Sequence, residues 1–184
     1  RSLTIRSSNP DSDAIVLLGD ASSTSNSVTS LGINFAGSIQ ATGGGGISID
    51  GKAGPAVTYD HGLDIRGNIL ANSGTITIVG QNDIPTQTAI FLSDNTSLGF
   101  KAGSSVTSSS SNIILKSNNT IFDTPTNLNT SGMVSFVPLD GATSFGVDQS
   151  LEPNVVLNAS VSGLVLGKAG NTANVTVASD IDIN

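Results

Sequence analysis

The sequence predicts an all-β chain, wound as a right-handed parallel β-helix. Three observations point there. Short apolar triplets recur along the whole chain, turn-forming clusters separate them, and one block of sequence returns at a constant offset that carries Ile33 onto Leu63.

The triplets come first. In chain order they are residues 15–18, Ile33-Asn34-Phe35, Ile47-Ser48-Ile49, Leu63-Asp64-Ile65, Ile76-Thr77-Ile78 and residues 90–92. The series continues through residues 113–115, 134–137, 155–157 and 164–166, then Val175-Thr176-Val177 and Ile181-Asp182-Ile183. Most alternate apolar with polar residues, the period-2 signature of a half-buried strand. Gly, Asn, Asp and Ser fill the gaps and supply turns. No segment sustains the i, i+3, i+4, i+7 spacing of an amphipathic helix, so helix content near zero is expected.

The repeat is the second element. Residues 31–51 read LGINFAGSIQATGGGGISIDG, and residues 62–80 read GLDIRGNILANSGTITIVG. Both run through an apolar-x-apolar triplet, Gly-polar-Ile, a Gly-containing turn, Ile-polar-Ile and a closing Gly. A unit this small cannot bury its own apolar face, whereas stacked units share a core. Taking ~20–25 residues per turn, as in other short β repeats, predicts about seven to nine turns. At a strand spacing of ~4.8 Å that is a rod about 35–45 Å long. A β-sandwich is the alternative architecture, since it also gives short strands at regular intervals. The chain has no Trp, one Tyr (Tyr59) and six Phe. Such a supply of small apolar residues suits the thin core of a β-helix better than a sandwich core.

Composition bounds the function. Charged residues make up 11% of the chain, under half the usual share, so hydroxyl and amide side chains must carry solubility. Of fourteen acidic residues all but Glu152 are Asp, and the formal net charge is −7. An acidic, Lys-poor surface repels phosphate, which argues against nucleic-acid partners and against docking on anionic membranes. No apolar run approaches the ~20 residues of a membrane helix. With no Cys, disulfides and thiolate metal sites are excluded. No signal peptide is visible before Arg1-Ser2, so the expectation is a mature or excised segment, residues 1–184 forming one β-helical unit of a longer protein.

Several motifs invite chemistry. Asp60, His61, Asp64 and Arg66 form the one cluster resembling an acid–base or carbohydrate-binding site, because Asp64 and Arg66 share a strand face and His61 is the only His. The competing reading is a solvated strand edge with a local ion pair worth ~0.2–1 kcal/mol. A glycosidase needs two opposed carboxylates, whose separation the sequence does not give. Residues 46–52 (GISIDGK) have P-loop spacing but place Ala53 where Ser or Thr must follow, with no helix after it. Residues 163–168 (GLVLGK) fall one residue short. The pairs Asp11/Asp13 and Asp180/Asp182 invite a calcium reading, but Asp also makes turns, and residues 43–48 carry Ser where a calcium nonapeptide needs Asp. Glycosylation sequons at Asn95, Asn118, Asn129, Asn158 and Asn174 are expected by chance in so polar a chain; Asn ladders between turns are an equal use. No catalytic residue, metal or cofactor is assigned.

Residues 163–184 (GLVLGKAGNTANVTVASDIDIN) carry Leu164-x-Leu166-Gly167, Gly170-Asn171-Thr172, Val175-Thr176-Val177 and Ile181-Asp182-Ile183. This segment resembles the repetitive body of filamentous-haemagglutinin-like large exoproteins, the passengers of two-partner secretion. Residues 41–54 and 67–80 are similar to the turns of the same family. The resemblance implies a β-helical fibre on the bacterial cell surface, a stalk or adhesin and no enzyme. Its partners would be neighbouring β-helix segments or itself, and host-cell or environmental glycans. The family's amino-terminal secretion motifs and any toxin-like tail are not recognisable. Two alternatives stand beside this: a self-assembling extracellular filament subunit, and a polysaccharide-active or carbohydrate-binding β-helix with a groove at residues 60–66.

Overall fold

The computed structural model describes residues 3–22, 27–84, 87–142, 144–147, 155–177 and 181–183. Within them the chain forms sixteen strands and no helix. The strands are β1 (Leu3–Ser7), β2 (Asp13–Asp20), β3 (Ser27–Ala41), β4 (Gly46–Ala53), β5 (Ala56–Ala71), β6 (Ile76–Asn82), β7 (Ile90–Gly99) and β8 (Ile113–Lys116). They continue with β9 (Asn119–Phe122), β10 (Thr126–Asn129), β11 (Met133–Val137), β12 (Phe145–Val147), β13 (Val155–Leu157), β14 (Gly163–Leu166), β15 (Val175–Val177) and β16 (Ile181–Ile183). Every pairing runs parallel between strands one turn apart. The molecule is a parallel β-solenoid. A sandwich built from hairpins would pair its strands antiparallel, so that alternative is removed.

Three walls enclose the core. The first is the six-stranded sheet β2-β4-β6-β8-β11-β14. The front halves of β3, β5 and β7, followed by β9, β12 and β15, make the second wall. The third is β1, the back halves of β3, β5 and β7, then β10, β13 and β16. The second and third walls count as one ten-stranded sheet because β7 joins both: Ile90-Phe91-Leu92 pairs with β9, and Ser97-Leu98-Gly99 continues toward β10.

The corner between these walls depends on local chemistry. Gly37 and Gly67 turn it with φ of 143° and 153°, and a Cβ on Gly67 would lie 2.0 Å from the Gly37 carbonyl oxygen. Only glycine fits there, so β3 and β5 bend without breaking. In β7 the same corner is made by Asp94 and Asn95 in the left-handed region, φ 59° and 53°, which Asn and Asp tolerate best after glycine. One turn later Asp123-Thr124-Pro125 interrupts the strand, and β9 and β10 are separate. At the opposite corner, between the first and second walls, a Cβ on Gly51 would lie 2.2 Å from the Gly62 carbonyl oxygen, so the prism pinches shut there.

The side chains of one turn lie over those of the next. One inward ladder of the first wall is Ile15–Ile47–Ile76–Ile113–Val134–Leu164, and its neighbour is Leu17–Ile49–Ile78–Leu115–Phe136–Leu166. The second wall adds Phe35–Ile65–Leu92–Phe122, and the third Ile5–Ile39–Ile69–Leu98–Leu128–Leu157. From Ile47 to Phe136 the first-wall members are essentially without solvent exposure. Each such Ile or Leu contributes about 1.5–3 kcal/mol of burial. Phe122 meets Phe136 edge to face across the core, ring centres 6.1 Å apart.

The turns are fewer and larger than expected. The first-wall ladder steps through Ile15, Ile47, Ile76, Ile113, Val134 and Leu164, so five turns span the six strands. The corresponding stack is about 24 Å from first strand to last at ~4.8 Å per turn. Two causes lengthen the turns. In β3 and β5 a single bent strand of 15 or 16 residues forms two walls. The longest turn, from Ile76 to Ile113, also carries an insertion at positions 100–112 that folds back outside the third wall. It is tied there by Lys101 Nζ to Asn68 Oδ1, Ser110 N to the Asn72 carbonyl and Ser111 Oγ to the Ala71 carbonyl. Leu70, on the outer face, and Val106 of the insertion are both fully buried yet stand apart from the central core, which identifies the insertion as the cover over Leu70.

Candidate functional site

The four residues singled out by sequence all lie on β5, and the structure brings them together on the outside of the second wall. Asp64 points outward from the triplet Leu63-Asp64-Ile65, with Asn34 beneath it and Phe91 above it in the parallel register. Arg66, two residues on and on the same face, clamps it: Nε to Oδ1 at 3.1 Å and Nη2 to Oδ2 at 2.8 Å. This bidentate pair is the strong form of the interaction. The Asp64 carboxylate has no solvent exposure, while the Arg66 side chain is 43% exposed. His61 is buried and stacks on Phe91, ring centres 4.8 Å apart and planes 23° from parallel. Burial holds the His61 pKa below its ordinary value; Asp64 and Asp60 oppose that shift, and Arg66 adds to it. Asp60 is buried as well, and its Oδ2 has no hydrogen-bond partner among the described residues.

The expected solvated strand edge is therefore corrected. β5 lies between β3 and β7, inside the sheet, and its neighbours' side chains cover Asp64. Sequence reasoning also missed Phe91, the aromatic half of the cluster. It sits on β7, one turn beyond β5 and in register with Asp64, a neighbour that strand periodicity within β5 does not reveal. As packed, a polysaccharide on the outer surface would meet the Arg66 guanidinium and the edge of the His61–Phe91 stack. It would not reach the Asp64 carboxylate unless Arg66 moved.

The open cleft of about 350 Å³ lies elsewhere, on the outside of the first wall, lined by Leu18, Gly19, Asp20, Asp50, Lys52 and Gln81. Parallel register builds it, since Asp20, Lys52 and Gln81 occupy one column on β2, β4 and β6. Gln81 Nε2 donates to Asp50 Oδ1 at 3.2 Å, and Lys52 Nζ lies 3.2 Å from Asp83 Oδ1. The Ser22 hydroxyl and backbone N–H, with Lys52, hold the Asp20 carboxyl below the ordinary range. Polar groups facing the cleft are thus largely engaged with one another, and no aromatic platform lines it.

The remaining motifs become structural. Residues 46–52 lie within β4, so their backbone N–H groups face neighbouring turns and cannot cradle phosphate. In residues 163–168, Lys168 Nζ binds the Leu139 carbonyl at 3.0 Å. Asp11 closes a turn, its N–H donating to Asn9 Oδ1. Asp180, half of the second Asp pair, lies outside the described residues. No group of three or more His, Asp or Glu gathers for a metal among the described residues. Of the sequon residues, Asn129 Nδ2 bonds the Phe100 carbonyl one turn away, as Asn72 Nδ2 bonds the Thr42 carbonyl. These amides tie turns together through the backbone of the neighbouring turn, a different arrangement from amide-on-amide ladders. Asn118 bonds Asp140 and the Leu139 N–H.

Fold and surface together define the class: an all-β parallel solenoid of about five turns, a repeat protein held by stacked ladders. No family model, no curated protein and no solved structure matches this chain.

Proposed function

We propose that the chain is a structural and adhesive segment of a secreted bacterial surface exoprotein of the filamentous-haemagglutinin kind, serving as a rigid stalk. The observation that carries this reading is the unbroken stacking of inward ladders from β4 to β11 beneath an outer surface poor in charge. Parallel rung pairing resists bending, and the outer residues of each turn are free to vary without disturbing the core. Such a body holds whatever it carries away from the cell and offers repeated polar surface to glycans.

The test combines imaging with binding. Purified protein is expected to unfold cooperatively as a β-rich stack in circular dichroism and to retain host-cell glycans on an array. A folded protein that binds no glycan would sink the proposal. The His61–Phe91 stack beside the Asp64–Arg66 pair favours a second reading, in which this patch is the glycan contact. An Arg66→Ala protein, losing the exposed guanidinium, would then lose array binding; undiminished binding would move the contact elsewhere.

A further inference from the structure

Burying a carboxylate is costly unless a cation or hydrogen-bond donors compensate its charge. Two Asp are buried among the described residues, Asp64 at 0% and Asp60 at 3% exposure. Asp64 is compensated by the two hydrogen bonds from Arg66. Asp60 is treated differently. Its Oδ2 is closed off from solvent and has no hydrogen-bond partner. The salt bridges among the described residues, Lys52 to Asp83 and Arg66 to Asp64, both leave it out. His61, the next residue, does not supply a charge at neutral pH, because burial holds its pKa below the ordinary value.

The surroundings of Asp60 explain why it is left over. It lies two residues before Gly62, at the corner where the first and second walls pinch together. The amide of Asn82 is spent there on two carbonyls, Asp60 O at 3.2 Å and Thr88 O at 3.3 Å, and its Oδ1 accepts the Ile84 N–H. Ser30 stands in register with Asp60 on β3 and is as deeply buried, and its Oγ accepts the Gly54 N–H at 2.8 Å. These donors all go to other acceptors. Oxygen atoms therefore gather at this corner around one carboxylate whose charge no neighbouring donor neutralises.

We propose that Asp60 anchors a site for a hard cation, calcium, at this corner. Asp60 Oδ2 is the charged ligand. The Asp60 and Thr88 carbonyls, each with a second lone pair, and the Ser30 hydroxyl are further oxygens of the same corner, and water completes the shell. An all-oxygen set without thiols suits a hard ion, and calcium accepts irregular coordination where magnesium demands an octahedron. A single carboxylate places the affinity at the weak end of the calcium range, Kd about 10⁻⁴–10⁻³ M. Asp60 belongs to β5 and Thr88 immediately precedes β7, so the ion ties two successive turns together beside the His61–Phe91 stack.

Thermal melts of chelator-treated protein test this, with calcium chloride added against choline chloride of equal ionic strength. The midpoint is expected to rise by about 3–5 °C at ~10 mM calcium, and to rise less with magnesium. Asp60→Asn keeps the shape of the side chain and removes its charge. That variant should melt no lower than the natural protein in the absence of calcium, and calcium should leave its midpoint where it was. It retains every other Asp, so it separates this site from general binding to an acidic surface. No calcium-dependent shift in the natural protein, or the same shift in Asp60→Asn, overturns the proposal; a full response to magnesium overturns the choice of calcium. Should Asp60→Asn fail to fold, calorimetric titration of the natural protein decides. One saturable site in the stated range supports the proposal, and the absence of saturable heat overturns it.

Discussion

The early turns and the later ones are built from the same ladders but by different strands. From β2 to β7 the strands are long, reaching 15 and 16 residues in β3 and β5, and the second and third walls are one bent ribbon. From β8 to β16 the strands are short, β11 (Met133–Val137) being the longest, and each wall has its own. The difference begins at one corner. Gly37 and Gly67 carry the strand around it; Asp94 and Asn95 do so at some conformational cost; Asp123-Thr124-Pro125 does not, because proline has no N–H to donate and restrains its neighbour. A bent strand contributes backbone bonds through the corner that two short strands lose. Rung cohesion therefore drops at this corner, and the first wall shortens as well, from 8, 8 and 7 residues in β2, β4 and β6 to 4, 5 and 4 in β8, β11 and β14.

This comparison can be broken at its origin. Gly67→Val places a Cβ against the Gly37 carbonyl in a φ region valine avoids, and is expected to cost about 3–5 kcal/mol or to prevent folding. Urea denaturation followed by circular dichroism measures it; a loss under ~1 kcal/mol would mean the corner can be rebuilt. A smaller effect comes from one ladder cut at two heights. Ile78→Ala, fully buried in the early half, should cost about 2–5 kcal/mol, and Leu166→Ala, on the same ladder but 40% exposed, under ~1.5 kcal/mol. Equal losses in thermal melts would show that the last turn is as well packed as the third.

Acid should sharpen the contrast, since the only histidine lies in the early half. His61 is held neutral by burial, its folded pKa below the ordinary 6.5. Below that value the unfolded chain takes up the proton more readily than the folded one, so stability falls as pH drops through 6.5 and levels off beneath the folded pKa. Urea midpoints measured on either side of the ordinary histidine pKa should therefore differ for the natural protein and converge in His61→Gln. The smallest expected effect is at the intermediate corner: Asn95→Gly relieves the left-handed residue and should stabilise by about 0.5 kcal/mol. Destabilisation there would show that the Asn95 side chain is itself a support.

The repeat is legible where corner chemistry repeats. Ile33, Phe35, Gly37, Ile39 and Ala41 pair with Leu63, Ile65, Gly67, Ile69 and Ala71, every pair keeping the one offset that the sequence spacing implies. It fades after Ser97 because the corner residues change from Gly to Asp-Asn and then to a proline loop, and because the insertion at positions 100–112 shifts the phase. Taking ~20–25 residues per turn also overestimates the number of turns, since β3 and β5 each put 15 or 16 residues into two walls joined at a corner. Within the candidate cluster, strand periodicity suffices to place Asp64 and Arg66 on one face. The burial of Asp64, and the arrival of Phe91 over His61, depend on which strand lies next door.

By itself the sequence determined the class of structure. Alternating Ile, Val and Leu with polar residues, punctuated by Gly and Asn, permits strands and forbids helices whatever their arrangement, because that information is local. Tertiary structure alone decided how many turns there are, which carboxylates are covered, and which aromatic ring meets His61. Those outcomes depend on parallel register between residues a whole turn apart, a relation no single stretch of chain contains.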